Sequence, residues 1–107
     1  MSDATESVLR EIAAERAAQD ALFGQQDLPD GTGPGFDGDA TDYANAYRAE
    51  CDKAFATGTG TYRHVFMEEV FEALAESDPA RLRAELVQAV AVGVKWIEGI
   101  DRRAPSA

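Results

Sequence analysis

The chain has one cysteine, one histidine and one tryptophan, and half as many basic residues as acidic ones. A single cysteine, Cys51, excludes an intrachain disulfide and a cysteine-based zinc site. Its neighbours are apolar helix positions, so it reads as a small core residue. Ten bases against twenty acids leave a net charge of −10. A surface this acidic repels nucleic-acid phosphates and anionic membrane, so neither a nucleic-acid polymer nor a membrane is an expected partner. Long hydrophobic runs are also missing. The longest, Ala89 to Ile100, is too short to span a bilayer and contains Lys95 and Glu98. No N-terminal stretch resembles a signal peptide, and a cytoplasmic location is expected. Runs of β-branched residues are scarce while alanine is abundant, which favours helix over strand.

With 107 residues, the chain has enough length for a single domain with one modest core. Hydrophobic spacing predicts four helices, and no strand pattern competes with the helical period. Helix 1 is expected over Thr5 to Phe23, with Gly24 as its stop. Residues 24–40 form a loop rich in glycine, proline and aspartate, read as a mobile connector rather than an ordered lid. Its Asp37-Gly38-Asp39 lacks the glycine and terminal glutamate spacing of a calcium-binding loop. Helix 2 is expected over Thr41 to Thr57, with Tyr43, Ala44, Tyr47, Cys51, Ala54 and Phe55 on its apolar face. Thr61 caps helix 3, which is expected to reach Glu76. Ser77-Asp78-Pro79 is a compact stop and restart: Asp78 suits an N-cap and Pro79 the first helical position. Helix 4 then runs to Arg102. Leu82, Leu86, Ala89, Val90, Val92, Gly93, Trp96, Ile97 and Ile100 are expected to face inward.

Helix 3 carries the most informative pattern. Glu68, Glu69, Glu72 and Glu76 fall within an arc of about 100° on one helical face. The helix supplies no lysine or arginine placed to neutralise them. Acids one turn apart repel by a few tenths of a kcal/mol per pair, strain that a divalent cation would relieve. The short turn implies an antiparallel hairpin. Counting outward from it sets Glu72 level with Arg83 to Glu85, and Glu68 and Glu69 level with Leu86 to Gln88. Glu85 lies inside the apolar face of helix 4, between Leu82, Ala89, Val92 and Trp96. A carboxylate there needs a partner. The plain candidate is Arg16 from helix 1. The sharper one is a cation shared with Glu69 and Glu72. Oxygen ligands on rigid helices suit Mg²⁺ or Mn²⁺, ions that act on phosphates.

Glu68-Glu69-x-x-Glu72, followed after a short turn by Glu85-x-x-Gln88, resembles the MazG-like all-α nucleoside triphosphate pyrophosphohydrolases. The resemblance covers residues 61–103, is weaker over helix 1 and is absent from the 24–40 loop. It is similar in pattern to the small members of actinobacteria and their phages. It implies a four-helix domain with a central antiparallel hairpin, completed by oligomerisation as a homodimer or homotetramer. It also implies Mg²⁺-dependent hydrolysis of an NTP or dNTP to the monophosphate and pyrophosphate. By motif position Glu69, Glu72 and Glu85 would be metal ligands, with Gln88 at the fourth ligand position. Glu68 would bind the metal or orient the attacking water, so Glu68, Glu69 and Glu72 form the expected catalytic set.

One departure stands out. The pattern's last acid is Gln88 here, a neutral amide that binds Mg²⁺ weakly and cannot act as a base. This keeps two alternatives open: a catalytically impaired nucleotide-binding protein of the same fold, and a helical oligomeric interaction protein. Arg16, Gln19 and Asp20 are candidates to line a nucleotide pocket from helix 1, and a solvated face explains them as well. Lys95, Arg102 and Arg103 are candidate phosphate contacts, more simply read as solvated-face residues. His64, one turn before Glu68, is more simply a helix-surface residue than an acid–base group, and Trp96 reads as core or interface.

Overall fold

A computed structural model of the chain describes residues 2–33 and 40–104. It is all-α: α1 spans Asp3–Phe23, α2 Ala40–Ala56, α3 Tyr62–Ala75 and α4 Pro79–Arg103. Each expected helix is present, with ends shifted by at most two residues. The chain divides into two compact units. One holds α1 and the part of α4 from Val94 onward; the other holds Gly31–Gly93.

Local capping chemistry explains the boundaries. Ser2 starts α1 by accepting the Thr5 N–H at 3.1 Å, and Gly24 ends it at φ 70° with its N–H on the Asp20 carbonyl. Thr61 caps α3 through the His64 N–H at 3.2 Å. Asp78 caps α4, accepting the Arg81 N–H at 3.0 Å. In the first unit Thr5 donates to the Glu98 carboxylate at 3.1 Å, tying α1 to the end of α4, and Val8 and Val94 are buried.

In the second unit α2 packs along α3. Tyr43 and Tyr47 both stack on Phe71, with ring centroids 5.4 and 4.8 Å away. Ala44, Cys51, Ala54, Ala73, Leu82 and Ala89 are the buried apolar residues there. The hairpin is antiparallel: a Cβ added to Gly93 would lie 3.5 Å from the Phe66 ring, far from the turn on both helices.

Three expectations need correction. Leu86, Val90, Ile97 and Ile100 do not face inward but are 39–54% exposed. The apolar band of α4 is wider than the stripe of about 100° that one packing face covers, so its flank is left open. Tyr43 and Phe55 are also more than half exposed, so α2 buries only its small residues. The 24–40 loop, which precedes α2, is not a free connector at Thr32 and Gly33. The Gly33 N–H donates to the Leu74 carbonyl at 2.9 Å and the Thr32 hydroxyl to the Glu76 carbonyl at 2.6 Å. These bonds satisfy carbonyls that the end of α3 leaves open. Gly33 sits at φ 94°, and an added Cβ would come within 2.9 Å of Ser77 Cβ, so glycine is required twice over. The loop's Asp37-Gly38-Asp39 lies outside the described residues.

Candidate metal centre

The hairpin brings three carboxylates together. One oxygen from each of Glu69, Glu72 and Glu85 lies within 4.8 Å of the others. All three side chains are partly buried. The short turn sets this register: α3 and α4 extend side by side from Ser77-Asp78 with opposite chain directions, so residues a similar count from the turn meet. Glu85 sits between the buried Leu82 and Ala89 on its own helix and is thereby aimed at α3.

Two of the carboxylate oxygens, Glu69 Oε2 and Glu85 Oε2, are buried without any hydrogen-bond partner. Such atoms are normally satisfied, and leaving one unpaired costs about 1–3 kcal/mol. The environment is felt most at Glu69. Burial, then the charges of Glu72, Glu85 and Glu68, raise its pKa above the ordinary carboxylate value. The set offers oxygen donors, two of them orphaned, which is the donor type that hard divalent cations take.

Glu68 adjoins the trio from the α2 side. Arg48, on α2, donates from Nη2 to Glu72 Oε1 at 3.0 Å and has Nε 3.9 Å from Glu68 Oε1. The Glu72 hydrogen bond and charge raise the Arg48 pKa further, so it stays protonated. Burial, then a hydrogen bond to Glu68, push the Cys51 thiol up to about 11. Cys51 is therefore an unreactive thiol that donates to Glu68.

Arg48 is absent from the sequence-based candidates. It lies three residues before the buried Cys51, which places it on the rim of the face that packs on α3. That relation was the available signal.

Other expected residues go elsewhere. Glu76 does not extend the acidic face. It is the C-cap of α3, and its carboxylate accepts the Asp78 N–H at 3.1 Å. The helix ends before Glu76, so the helical spacing that would align it with Glu72 is lost. Arg16 has partners on its own helix, Gln19 at 3.1 Å and Asp20 at 2.9 Å. Arg16 and Gln19 do line a common cleft of about 690 Å³ in the first unit, together with Glu15, Asp20, Phe23 and Leu28. Lys95 and Arg102 are exposed on the part of α4 that belongs to that unit. Gln88 is exposed on α4, one turn beyond Glu85. His64 Nδ1 lies 2.6 Å from the Thr61 hydroxyl, so the ring completes the α3 cap. No described helix is long and apolar enough to cross a membrane.

Comparison with family models, with curated proteins and with solved structures yields no match in any of the three.

Proposed function

We propose that the chain is a Mg²⁺-dependent nucleoside triphosphate pyrophosphohydrolase of the MazG-like kind. The observation that carries this reading is the convergence of Glu69, Glu72 and Glu85, two of them with buried, unpartnered oxygens. Glu69, Glu72 and Glu85 would hold the ion, with Mn²⁺ as the alternative to Mg²⁺. When bound there, a divalent cation supplies neutralising charge for a polyphosphate and acidity for an attacking water.

The remaining chemistry falls to the chain itself. Glu68 is 20% exposed, stands 3.9 Å from Arg48 and accepts from Cys51. In this reading it would accept a hydrogen bond from the attacking water and take its proton. Arg48 offsets part of the negative charge that four clustered carboxylates would otherwise present to an anionic substrate. Arg16 and Gln19, which line the α1 cleft with the exposed Phe23, remain proposed nucleotide contacts. Lys95 and Arg102 remain proposed phosphate contacts.

Oligomerisation as a homodimer or homotetramer belongs to the same reading. Its support is the open apolar flank of α4, where Leu86, Val87 and Val90 are about half exposed. A cytoplasmic location remains part of the proposal.

A second reading is a protein of this fold that binds a nucleotide without cleaving it. Gln88 favours it, because the ligand set then has three acids and a neutral fourth position. The test separates the two. Purified protein with Mg²⁺ and a panel of NTPs and dNTPs should release pyrophosphate, and chelation by EDTA should stop the release. Tight nucleotide binding with no pyrophosphate would select the second reading; neither binding nor release would sink both.

A further inference from the structure

One guanidinium reaches the carboxylate cluster, and its geometry fits it for more than neutralisation. The Arg48 side chain is 51% exposed, whereas Glu68 and Glu72, which it touches, are 20% and 22% exposed. Arg48 thus spans the edge between the cluster and solvent. Its guanidinium has five N–H donors, and Glu72 takes one at 3.0 Å while Glu68 is only a 3.9 Å neighbour. Donors remain for another acceptor. The base of the side chain is well anchored, since the adjacent Tyr47 stacks on Phe71 at 4.8 Å and 11°.

Glu72 also belongs to the trio. A cation held by Glu69, Glu72 and Glu85 would compete with Arg48 for the Glu72 carboxylate, and the two positive charges would repel. Occupation of the trio would therefore loosen Arg48 and leave its guanidinium available to an oxyanion brought in with the cation. A guanidinium fork matches the spacing of two phosphate oxygens.

We propose that Arg48 is the phosphate-contacting side chain of this site: it rests on Glu72 in the cation-free protein and transfers to a pyrophosphate group when cation and anion bind together. The proposal rests on the trio being a cation site and adds a residue that the sequence pattern does not include. It assigns the anion contact nearest the cation to α2.

The test uses Mn²⁺ and inorganic pyrophosphate as probes on the full chain. Mn²⁺ binding is followed by electron paramagnetic resonance. Pyrophosphate retention at saturating Mn²⁺ is followed by equilibrium dialysis. Arg48→Met keeps the aliphatic stem, and circular dichroism verifies its fold. This variant should bind Mn²⁺ alone about threefold more tightly, the scale of one half-exposed ion pair removed. It should retain pyrophosphate about tenfold more weakly, the scale of one charge-assisted hydrogen bond lost. Arg48→Lys should fall between, because a point charge replaces the fork. Unchanged or weaker Mn²⁺ binding by Arg48→Met, or unchanged pyrophosphate retention, overturns the role of Arg48 while leaving the trio intact. Absence of Mn²⁺ binding by the wild-type chain overturns the trio reading and this proposal with it.

Discussion

Glu72→Gln and Glu85→Gln should each lower Mg²⁺-dependent pyrophosphate release by at least about a hundredfold, beyond the 10–100-fold typical of losing a group that merely supports a metal ligand. The substitutions conserve shape and remove only charge. At Glu85 the carboxylate has no other structural employment: one oxygen is buried without a partner. At Glu72 the lost charge also weakens the hold on Arg48, whose 3.0 Å hydrogen bond would persist to an amide oxygen. Glu76→Gln is the matched control. Its side chain accepts the Asp78 N–H in the turn, a task the amide oxygen can perform, so activity should be retained. Steady-state rates for the three variants at saturating Mg²⁺ check the expectation. Equal losses in all three would show that general acidity of the surface matters, rather than the trio.

Glu69→Gln should abolish activity and yet stabilise the cation-free protein. Glu69 is the carboxylate whose pKa is raised, first by burial and then by its acidic neighbours. A raised folded-state pKa means that the native state holds the proton more tightly than the unfolded chain. Its stabilising contribution is complete below the ordinary carboxylate pKa and is lost as pH rises through the raised value. Ionisation of Glu69 in the folded chain therefore carries a cost that the amide avoids. Denaturant midpoints in EDTA at neutral pH should favour Glu69→Gln by roughly 1 kcal/mol, the lower end of the cost of an unsatisfied buried group. The advantage should shrink as pH falls and Glu69 takes up its proton. Added Mg²⁺ should reverse the order, because a ligand that binds only the native state stabilises in proportion to its occupancy. A Glu69→Gln variant less stable than wild type at neutral pH in EDTA would show the opposite: that the ionised carboxylate helps hold the fold.

These two expectations also show where the sequence was readable. Helix starts and stops are local chemistry: Thr61, Gly24 and the Asp78-Pro79 pair each act on backbone groups a few residues away, and each is found in its expected role. The meeting of Glu85 with Glu69 and Glu72 was legible for a related reason. A short turn leaves two helices only one antiparallel arrangement, so counting residues from Pro79 recovers the register. Arg48 was not legible in this way. It comes from α2, beyond a long loop, and the angle at which α2 crosses α3 depends on Tyr43 and Tyr47 stacking on Phe71. Glu76 misleads because the helical wheel carries on where the helix does not. The exposure of Leu86, Val90, Ile97 and Ile100 is invisible to periodicity, which reports which side of a helix is apolar, not how much of that side a neighbour covers. Arg16 suits Glu85 on charge alone, but charge does not say which acid it meets, and Asp20, one turn along the same helix, holds it at 2.9 Å.

Everything proposed for the site depends on Glu69, Glu72 and Glu85 holding a divalent cation between α3 and α4. Crystals soaked in Mn²⁺ and measured for anomalous scattering address this most directly, because Mn²⁺ substitutes for Mg²⁺ and reports its own position. One anomalous peak is expected within coordinating distance of all three carboxylates, with Arg48 turned away from Glu72. No peak at the trio, with Arg48 still on Glu72 at high Mn²⁺, would contradict it.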